Sequence, residues 1–249
     1  MDPNLRLIFF AHPRSGSSSL FQILQLHPAL HLLEEPFNEH FTHWCPDNPN
    51  YRDQIHDAAS LDAQLAAIFT DYNGLKVLDY QLPDDLIVHL LHRSDTHVLF
   101  LRRRNLLQTV VSNLIAEQTQ VWQKWDMTQP LEDYYRKLQP LDIADVQRRV
   151  IELQQHLEFC EAVIDARSGI ASLKLVYEDL YFASAEQRKE QIAALWPWLG
   201  VAALGAEQIQ YYLDPAEVKI NSAATYAWLP NAREIEESCG NAATGWLYQ

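Results

Sequence analysis

An apolar strand, a loop and a helix follow one another twice in this chain. This repeated order constrains the fold more than any other feature of the sequence. Near the N-terminus the apolar run 5–11 leads through a loop rich in Pro, Ser and Gly into a helix-like run at 20–26. The same order recurs at 97–101, an apolar run followed by 102–105 and by apolar positions at helical spacing across 106–115. Such repeats predict parallel strands that are joined by crossover helices.

Further apolar runs extend the pattern. The run 75–78 predicts a third strand, and Pro83 precedes a helix with an apolar run at 86–91. A seven-residue apolar repeat over 143–164 predicts a long amphipathic helix that packs on a core and leads to a fourth strand at 170–176. The sequence therefore predicts a three-layer α/β fold in which helices flank a mainly parallel central sheet.

Length and local composition predict how this fold is organised. A chain of 249 residues with 48% hydrophobic side chains can bury a full core, so we expect a single domain over 1–249. Two segments, 36–60 and 214–249, are polar and aromatic without a clear period. Since open α/β sheets bind ligands beside irregular segments at the carboxyl ends of their strands, we expect both to form lids or to contact a substrate.

The charge of the chain disfavours two classes of partner. Lys and Arg number 19 against 33 Asp and Glu, a net charge of −14, which opposes binding to nucleic acid or to anionic membranes. A polyanionic ligand would need a local basic site. Cys45, Cys160 and Cys239 lie far apart without metal-ligand spacing, which predicts reduced thiols and a cytoplasmic protein. No apolar stretch approaches the roughly 20 residues of a membrane-spanning helix.

The segment 12–19, with the sequence HPRSGSSS, predicts an anion-binding loop. Small residues let backbone N–H groups converge, the next helix contributes its N-terminal dipole, and Arg14 adds a full positive charge. A serine-rich helix cap is the alternative interpretation, although a cap uses one serine rather than four. The loop lacks the first glycine and the lysine of the Walker pattern, which argues against an ordinary nucleoside triphosphatase or kinase.

This loop resembles the 5′-phosphosulfate loop of sulfotransferases, in the P-R-S-G-[ST]-[ST] form of the bacterial and carbohydrate enzymes. Arg104 and Ser112 have the eight-residue offset of that family's 3′-phosphate site, and a guanidinium and a hydroxyl so placed can reach one phosphate. An arginine run in a solvated loop is the alternative. The run 177–180 (YEDL) resembles a family element whose tyrosine lies near adenine, which would place Tyr177 at the nucleotide.

The resemblance runs from residue 5 to residue 245 and is greatest to the bacterial group that includes the Nod-factor and trehalose sulfotransferases. It implies a P-loop-like fold, 3′-phosphoadenosine-5′-phosphosulfate (PAPS) as co-substrate, PAP as product, no metal, and a carbohydrate, lipid or other small-molecule hydroxyl as acceptor. Lys219 resembles a late basic residue that closes over the 3′-phosphate, although a surface lysine would look the same. The implied nucleotide-binding residues are Arg14, Ser15, Gly16, Ser17, Ser18, Ser19, Arg104, Ser112, Tyr177 and Lys219.

Sulfuryl transfer to an alcohol requires in-line attack on sulfur, a base for the hydroxyl proton, and positive charge at the leaving oxygen. Arg14 is suited to the leaving oxygen. For the base, the resemblance directs attention to the run 34–40 (EEPFNEH), in which Glu35 is our hypothesis and Glu39 and His40 are the alternatives. An ordinary solvated acidic pair at Glu34 and Glu35 is the structural alternative.

Two other functions stay open from the sequence. A P-loop-like phosphotransferase that uses a nucleoside triphosphate is disfavoured by the missing loop lysine and by the lack of a clear aspartate for magnesium after a strand. A protein that binds PAP without catalysis would retain the same loop. Aromatic and histidine side chains within 37–51 could line an acceptor cleft or pack within a lid.

Overall fold

The computed structural model describes residues 5–47, 49–124, 127–167, 171–214 and 223–248. Lys219 and the first residue of the predicted fourth strand, Ile170, lie outside these ranges. The chain forms two compact units, one of Met1–Arg102 with Cys160–Leu213 and the other of Arg103–Phe159 with Asp214–Gln249. The single domain expected over 1–249 stays a prediction.

The first unit is built on a five-stranded sheet in which each pair of neighbouring strands is parallel. Its spatial order is β2-β3-β1-β4-β5, so the N-terminal strand β1 is central. Every residue of β1 and β3 is buried, as expected for strands covered on both faces. The strands are β1 (Leu7–Ala11), β2 (Leu32–Glu34), β3 (Gly74–Leu78), β4 (His97–Arg102) and β5 (Ser172–Val176).

The described α-helices connect and extend these strands. In chain order they are α1 (Ser17–Gln25), α2 (Phe41–Trp44), α3 (Ala58–Asp71), α4 (Asp84–Leu91), α5 (Leu106–Thr119), α6 (Leu131–Tyr135), α7 (Ile143–Asp165), α8 (Tyr177–Tyr181), α9 (Ala185–Trp198), α10 (Ala206–Leu213), α11 (Ala223–Tyr226) and α12 (Ala232–Cys239). A short 3-10 turn spans Arg52–Gln54.

The direction of the crossovers explains the layers. Crossovers between parallel strands are right-handed, so connections that move in opposite directions along a sheet place their helices on opposite faces. The connection through α1 moves from β1 outward to β2, and those through α3 and α4 move the other way. Helix α1 accordingly contacts α10, whereas α3 contacts α4. The predicted three-layer α/β fold with a mainly parallel sheet is confirmed, and the loop from the central β1 to α1 gives it a P-loop-like arrangement.

The predicted elements recur at nearby bounds. The four predicted strands correspond to β1, β3, β4 and β5, and the predicted helices to α1, α4, α5 and α7. Strand β2 and helix α3 are additional. The segment 36–60 is mostly irregular, as expected, but 214–249 is less so, because its described part contains α11 and α12. No helix among the described residues combines the length and apolar character that a membrane crossing requires.

The second unit is held together at the start of α5. The Asn105 side chain accepts a hydrogen bond from the Gln108 backbone N–H at 2.9 Å and donates one to the Trp246 carbonyl at 2.8 Å. A Cβ atom added at Gly245 would lie 2.5 Å from the Asn105 side chain, so the C-terminal turn approaches α5 closely. This contact fixes the described tail on α5, and a lid role for the tail stays a prediction.

Substitution of Gly74 by alanine should destabilise the sheet. Its new Cβ atom would lie 2.6 Å from Leu32 Cδ2 and 2.8 Å from the Leu7 carbonyl oxygen, at the start of three adjacent strands. We expect the free energy of unfolding in urea to fall by about 1–3 kcal/mol, the usual cost of overpacking. Gly205→Ala is the control, since its nearest contact would be 3.4 Å away, and it should change stability by less than about 1 kcal/mol. Equal stability of both variants would contradict this close approach.

Candidate active site

The loop between β1 and α1 has a backbone that exposes donors at the carboxyl edge of the sheet. Arg14 and Gly16 both adopt left-handed conformations, with φ of 63° and 82°, and the Ser15 N–H donates to the His12 carbonyl at 3.3 Å. Gly16 is the N-cap of α1. The first N–H groups of a helix have no acceptor within it, and the helix dipole adds positive potential there. This geometry suits an anion.

Two tyrosines of α8 pack against the loop. A Cβ atom at Gly16 would lie 2.6 Å from the Tyr177 ring, so this position requires glycine both for its conformation and for space. The Tyr181 hydroxyl donates to the Gly16 carbonyl at 3.4 Å and bonds the Ser19 side chain. Burial raises the pKa of Tyr181, so its hydroxyl is a neutral donor. Tyr177 therefore lies beside the loop, and its contact with adenine stays a prediction.

The loop hydroxyls differ in their surroundings. Ser15 is fully buried, and its Oγ has no hydrogen-bond partner among the described residues. A buried hydroxyl without a partner costs about 1–3 kcal/mol, which a phosphate oxygen within reach would offset. Ser17 is also buried, and Ser18 accepts a hydrogen bond from Lys76 at 3.2 Å. The loop residues therefore suit the oxygens of an anion.

A buried lysine joins the loop to two acids. The Lys76 side chain, on β3, is 1% exposed, and its Nζ lies 3.0 Å from Glu34 Oε1 and 2.9 Å from Glu35 Oε1. Burial alone would lower the pKa of Lys76, but the charges of Glu35 and then Glu34 outweigh it, so the pKa lies above its usual value. The ammonium stays charged beside the loop. Glu34 and Glu35 are therefore not the solvated pair that was the structural alternative.

Glu35 has the most defined surroundings of the three candidate bases. Its Oε2 accepts hydrogen bonds from Asn38 Nδ2 at 2.9 Å and from Gln81 Nε2 at 3.0 Å, and the side chain is 14% exposed. Glu39 and His40 are 77% and 62% exposed and form a pair at 3.3 Å. Of these three, Glu35 is the one that Lys76 connects to the loop. Its role as the base stays a prediction.

A histidine and an aspartate form a second pair at this edge of the sheet. His12 follows β1, Asp79 follows β3, and the two strands are neighbours whose last residues pair in register. His12 Nδ1 lies 2.7 Å from Asp79 Oδ2, with side chains 22% and 2% exposed. The buried carboxylate thereby fixes the orientation of the imidazole ring.

The Tyr80 hydroxyl borders the same cluster. It accepts a hydrogen bond from Asn38 Nδ2 at 3.1 Å. Tyr80 is 58% exposed, but the loss of water around its hydroxyl and then the negative charge of Glu35 raise the pKa of Tyr80 to about 12. The Tyr80 hydroxyl is therefore neutral at physiological pH and stays a donor for a ligand at the Glu35 side.

The predicted 3′-phosphate residues lie in the second unit. Ser112, on α5, is buried, Arg104 is exposed, and the buried Arg103 donates to the Gln108 side chain. A shared phosphate contact of Arg104 and Ser112 stays a prediction. Lys219 lies outside the described residues. Within the described ranges, no three or more His, Cys, Asp or Glu side chains are grouped so that they could hold a metal ion.

The residues that sequence reasoning missed at this site are Lys76, His12, Asp79, Asn38 and Gln81. A weak signal existed for Lys76, since a lysine within the apolar strand 74–78 must find partners when buried. The His12–Asp79 pair had no comparable signal, because it depends on which strands are neighbours.

Comparison with known proteins gives distant likenesses. No protein-family model matches the chain, and no curated protein matches it. Among solved structures, a sulfotransferase from Alicyclobacillus acidocaldarius shares 14% identity over 93% of this chain and 95% of its own, with a TM-score of 0.44. Mouse sulfotransferase SULT7A1, crystallised with PAP, shares 12% identity over 88% of this chain and 68% of its own, also with a TM-score of 0.44. Likenesses at this level do not assign a function.

Removal of the buried charge at Lys76 should strongly destabilise the first unit. Lys76→Met leaves the carboxylates of Glu34 and Glu35 without their cation, so we expect the free energy of unfolding to fall by about 3–5 kcal/mol. Adding Glu34→Gln and Glu35→Gln should restore much of this loss. Because the folded pKa of Lys76 is raised, its contribution is present at neutral pH and is lost as the pH rises through that value.

The matched control is Lys174→Met, which removes an exposed lysine that pairs with Asp165 at 2.8 Å. An exposed pair contributes about 0–1 kcal/mol, so this variant should unfold almost like the wild type. Chemical denaturation measures the free energy of unfolding of the wild type, of Lys76→Met with and without the two glutamine substitutions, and of Lys174→Met. If Lys76→Met were as stable as Lys174→Met, the buried cluster would not stabilise the fold.

Proposed function

We propose that this chain is a sulfotransferase that moves the sulfuryl group of PAPS to a hydroxyl acceptor and releases PAP. The observation that carries the proposal is the bond from Lys76 to Ser18, because it joins an anion loop of the P-R-S-G-S-S pattern to the acid Glu35 within one unit. Sulfuryl transfer requires an anion site and a base at the same place.

The loop would hold the 5′-phosphosulfate. Arg14 and the N–H groups after Gly16 supply positive charge where the leaving phosphate oxygen gains negative charge. The hydroxyls of Ser15, Ser17, Ser18 and Ser19 would bind phosphate oxygens. The buried and unpartnered Ser15 hydroxyl supports this assignment.

Glu35 would be the base. As the acceptor oxygen forms its bond to sulfur, the bond from sulfur to the phosphate oxygen breaks, its electron pair leaves with PAP, and the hydroxyl proton passes to Glu35. Three donors fix the carboxylate, namely Lys76, Asn38 and Gln81. Since each carboxylate oxygen can accept two hydrogen bonds, Oε1 retains a position for the acceptor hydroxyl.

The other end of the nucleotide would be bound by residues outside this cluster. Arg104 and Ser112 would bind the 3′-phosphate, Tyr177 would lie near the adenine, and Lys219 would close over the 3′-phosphate. The proposed acceptors are those of the Nod-factor and trehalose group, hence carbohydrates, with lipids or other small hydroxyl compounds as further candidates. The cysteine spacing keeps the cytoplasm as the proposed setting.

Binding of PAP is the first test. PAP should stabilise the protein without added metal, by about 2.7 kcal/mol at one hundred times its dissociation constant. A thermal-shift series with PAP, ATP and GTP, each with and without magnesium, measures this. A melting temperature that millimolar PAP leaves unchanged but that ATP with magnesium raises would instead indicate a phosphotransferase.

Variants in the second unit test the proposed 3′-phosphate site. Arg104→Ala and Ser112→Ala should weaken PAP roughly tenfold or more, because each removes a bond to a charged phosphate. Both should bind adenosine 5′-phosphosulfate almost as the wild type does, since that ligand lacks the 3′-phosphate. Arg136→Ala, an exposed arginine of the same unit, should leave both ligands unchanged. Equal losses of affinity for both ligands would show that Arg104 and Ser112 do not bind the 3′-phosphate.

Substitution of Glu35 by glutamine should separate binding from chemistry. Glutamine has nearly the same shape but cannot take a proton, so PAP affinity should stay within a few-fold while turnover falls by roughly 10² to 10⁴. Steady-state kinetics with a panel of sugars and phenols measures this, and turnover separates an enzyme from a protein that only binds PAP.

Glu34→Gln is the matched control, because it also removes a carboxylate that contacts Lys76 but leaves Glu35 in place. Glu39→Gln and His40→Gln should likewise retain most activity. Near wild-type turnover of Glu35→Gln, together with a collapse in Glu39→Gln or His40→Gln, would assign the base to that residue.

A further inference from the structure

We propose that His12, oriented by Asp79, is a further catalytic residue that binds the sulfuryl oxygens of the group in transfer. This inference rests on the proposed function and adds a residue that the sequence motifs do not indicate. It also assigns a positioning residue, Asp79.

The strand order places His12, the first residue of the loop, one strand away from Asp79 and two strands away from the proposed base. Glu35 follows β2, Asp79 follows β3, and His12 follows β1, which is the order of these strands across the sheet. Neighbouring strands lie about 4.8 Å apart, so one strand, β3, separates Glu35 from the start of the loop. The sulfuryl group must lie between the phosphate in the loop and the hydroxyl at Glu35. His12 lies beside this position of the sulfuryl group.

The ring of His12 has one nitrogen committed and one available. Nδ1 bonds Asp79 Oδ2 at 2.7 Å, and no other hydrogen bond of this ring is found among the described residues. Asp79 is almost fully buried, and its backbone N–H donates to the Ala11 carbonyl at 3.0 Å, so the backbone that carries the carboxylate is fixed beside the end of β1. A histidine held through Nδ1 presents Nε2 in a defined direction, and in its protonated form both nitrogens are donors.

Sulfuryl transfer requires a hydrogen-bond donor at this position. Negative charge in the transition state spreads over the sulfuryl oxygens and the leaving oxygen, and a preorganised donor stabilises it. With Arg14 proposed for the leaving oxygen, His12 would act as an imidazolium, whose Nδ1–H donates to Asp79 and whose Nε2–H would donate to the sulfuryl oxygens. No proton is consumed by this contact, so the overall reaction stays balanced with Glu35 as the acceptor of the hydroxyl proton.

The test compares PAPS with PAP, since only PAPS carries sulfuryl oxygens. In His12→Asn the new amide nitrogen can replace Nδ1 and keep the bond to Asp79, but nothing replaces Nε2. We expect this variant to bind PAPS roughly tenfold more weakly, to bind PAP as the wild type does, and to lose roughly 10² in turnover. His12→Gln places an amide nitrogen near the position of Nε2, so it should recover part of the PAPS affinity. Asp79→Asn should show a smaller loss for PAPS alone.

His89→Gln is the matched control, because His89 also pairs with an aspartate, Asp62, at 3.0 Å, but lies on α4. It should leave both ligands and turnover unchanged. Equal weakening of PAPS and PAP by His12→Asn would show that His12 only supports the loop and would overturn the inference, as would unchanged binding and turnover. A wild-type chain that binds neither ligand would instead refute the proposed function, and this inference with it.

Discussion

The buried ammonium of Lys76 is the interaction on which the arrangement of this sheet edge depends. An isolated charge inside a sheet would be strongly unfavourable, so its partners must be close and fixed. Glu34 at the end of β2 and Glu35 directly after it supply the opposing negative charge, and Ser18 supplies an oxygen from α1. One lysine thus ties three elements together. Since β2 has only three residues, its backbone ladder to β3 is short, and these ion pairs add a second connection between the end of β2 and β3.

The strong periodic signals in the sequence were sufficient for the fold class. Apolar runs such as 97–101 and the repeat over 143–164 occur where the structure has β4 and α7. Strand β2 could not be predicted this way, because three residues are too few for a period to be seen. It pairs with β3 through long-range contacts, with Leu33 opposite Leu75, which local sequence does not encode. Its assignment required the tertiary structure.

The same distinction applies to the site. The loop 12–19 is contiguous, so its glycine, arginine and hydroxyls could be recognised together, and Tyr177 is in fact packed on Gly16. The partners of Glu35 come instead from three separate places in the chain, at Asn38, Lys76 and Gln81. The pairing of His12 with Asp79 spans 67 positions. Such contacts follow from the register of β1 and β3, and no sequence motif specifies that register.

Backbone conformation adds an independent sign that this edge is specialised. Among the described residues other than glycine, Arg14, Glu35 and Gln120 have positive φ, and two of these are the residues proposed for the leaving oxygen and the base. A left-handed conformation costs a residue with a side chain roughly 1–2 kcal/mol, which glycine would avoid. At position 35 the strain is held by the backbone bond to the Lys76 carbonyl at 3.0 Å and by the three side-chain donors. Glycine there would relieve the strain but remove the carboxylate. The strain is therefore the cost of presenting an acid at the end of β2, and it supports the proposal of Glu35 as the base without reference to any motif.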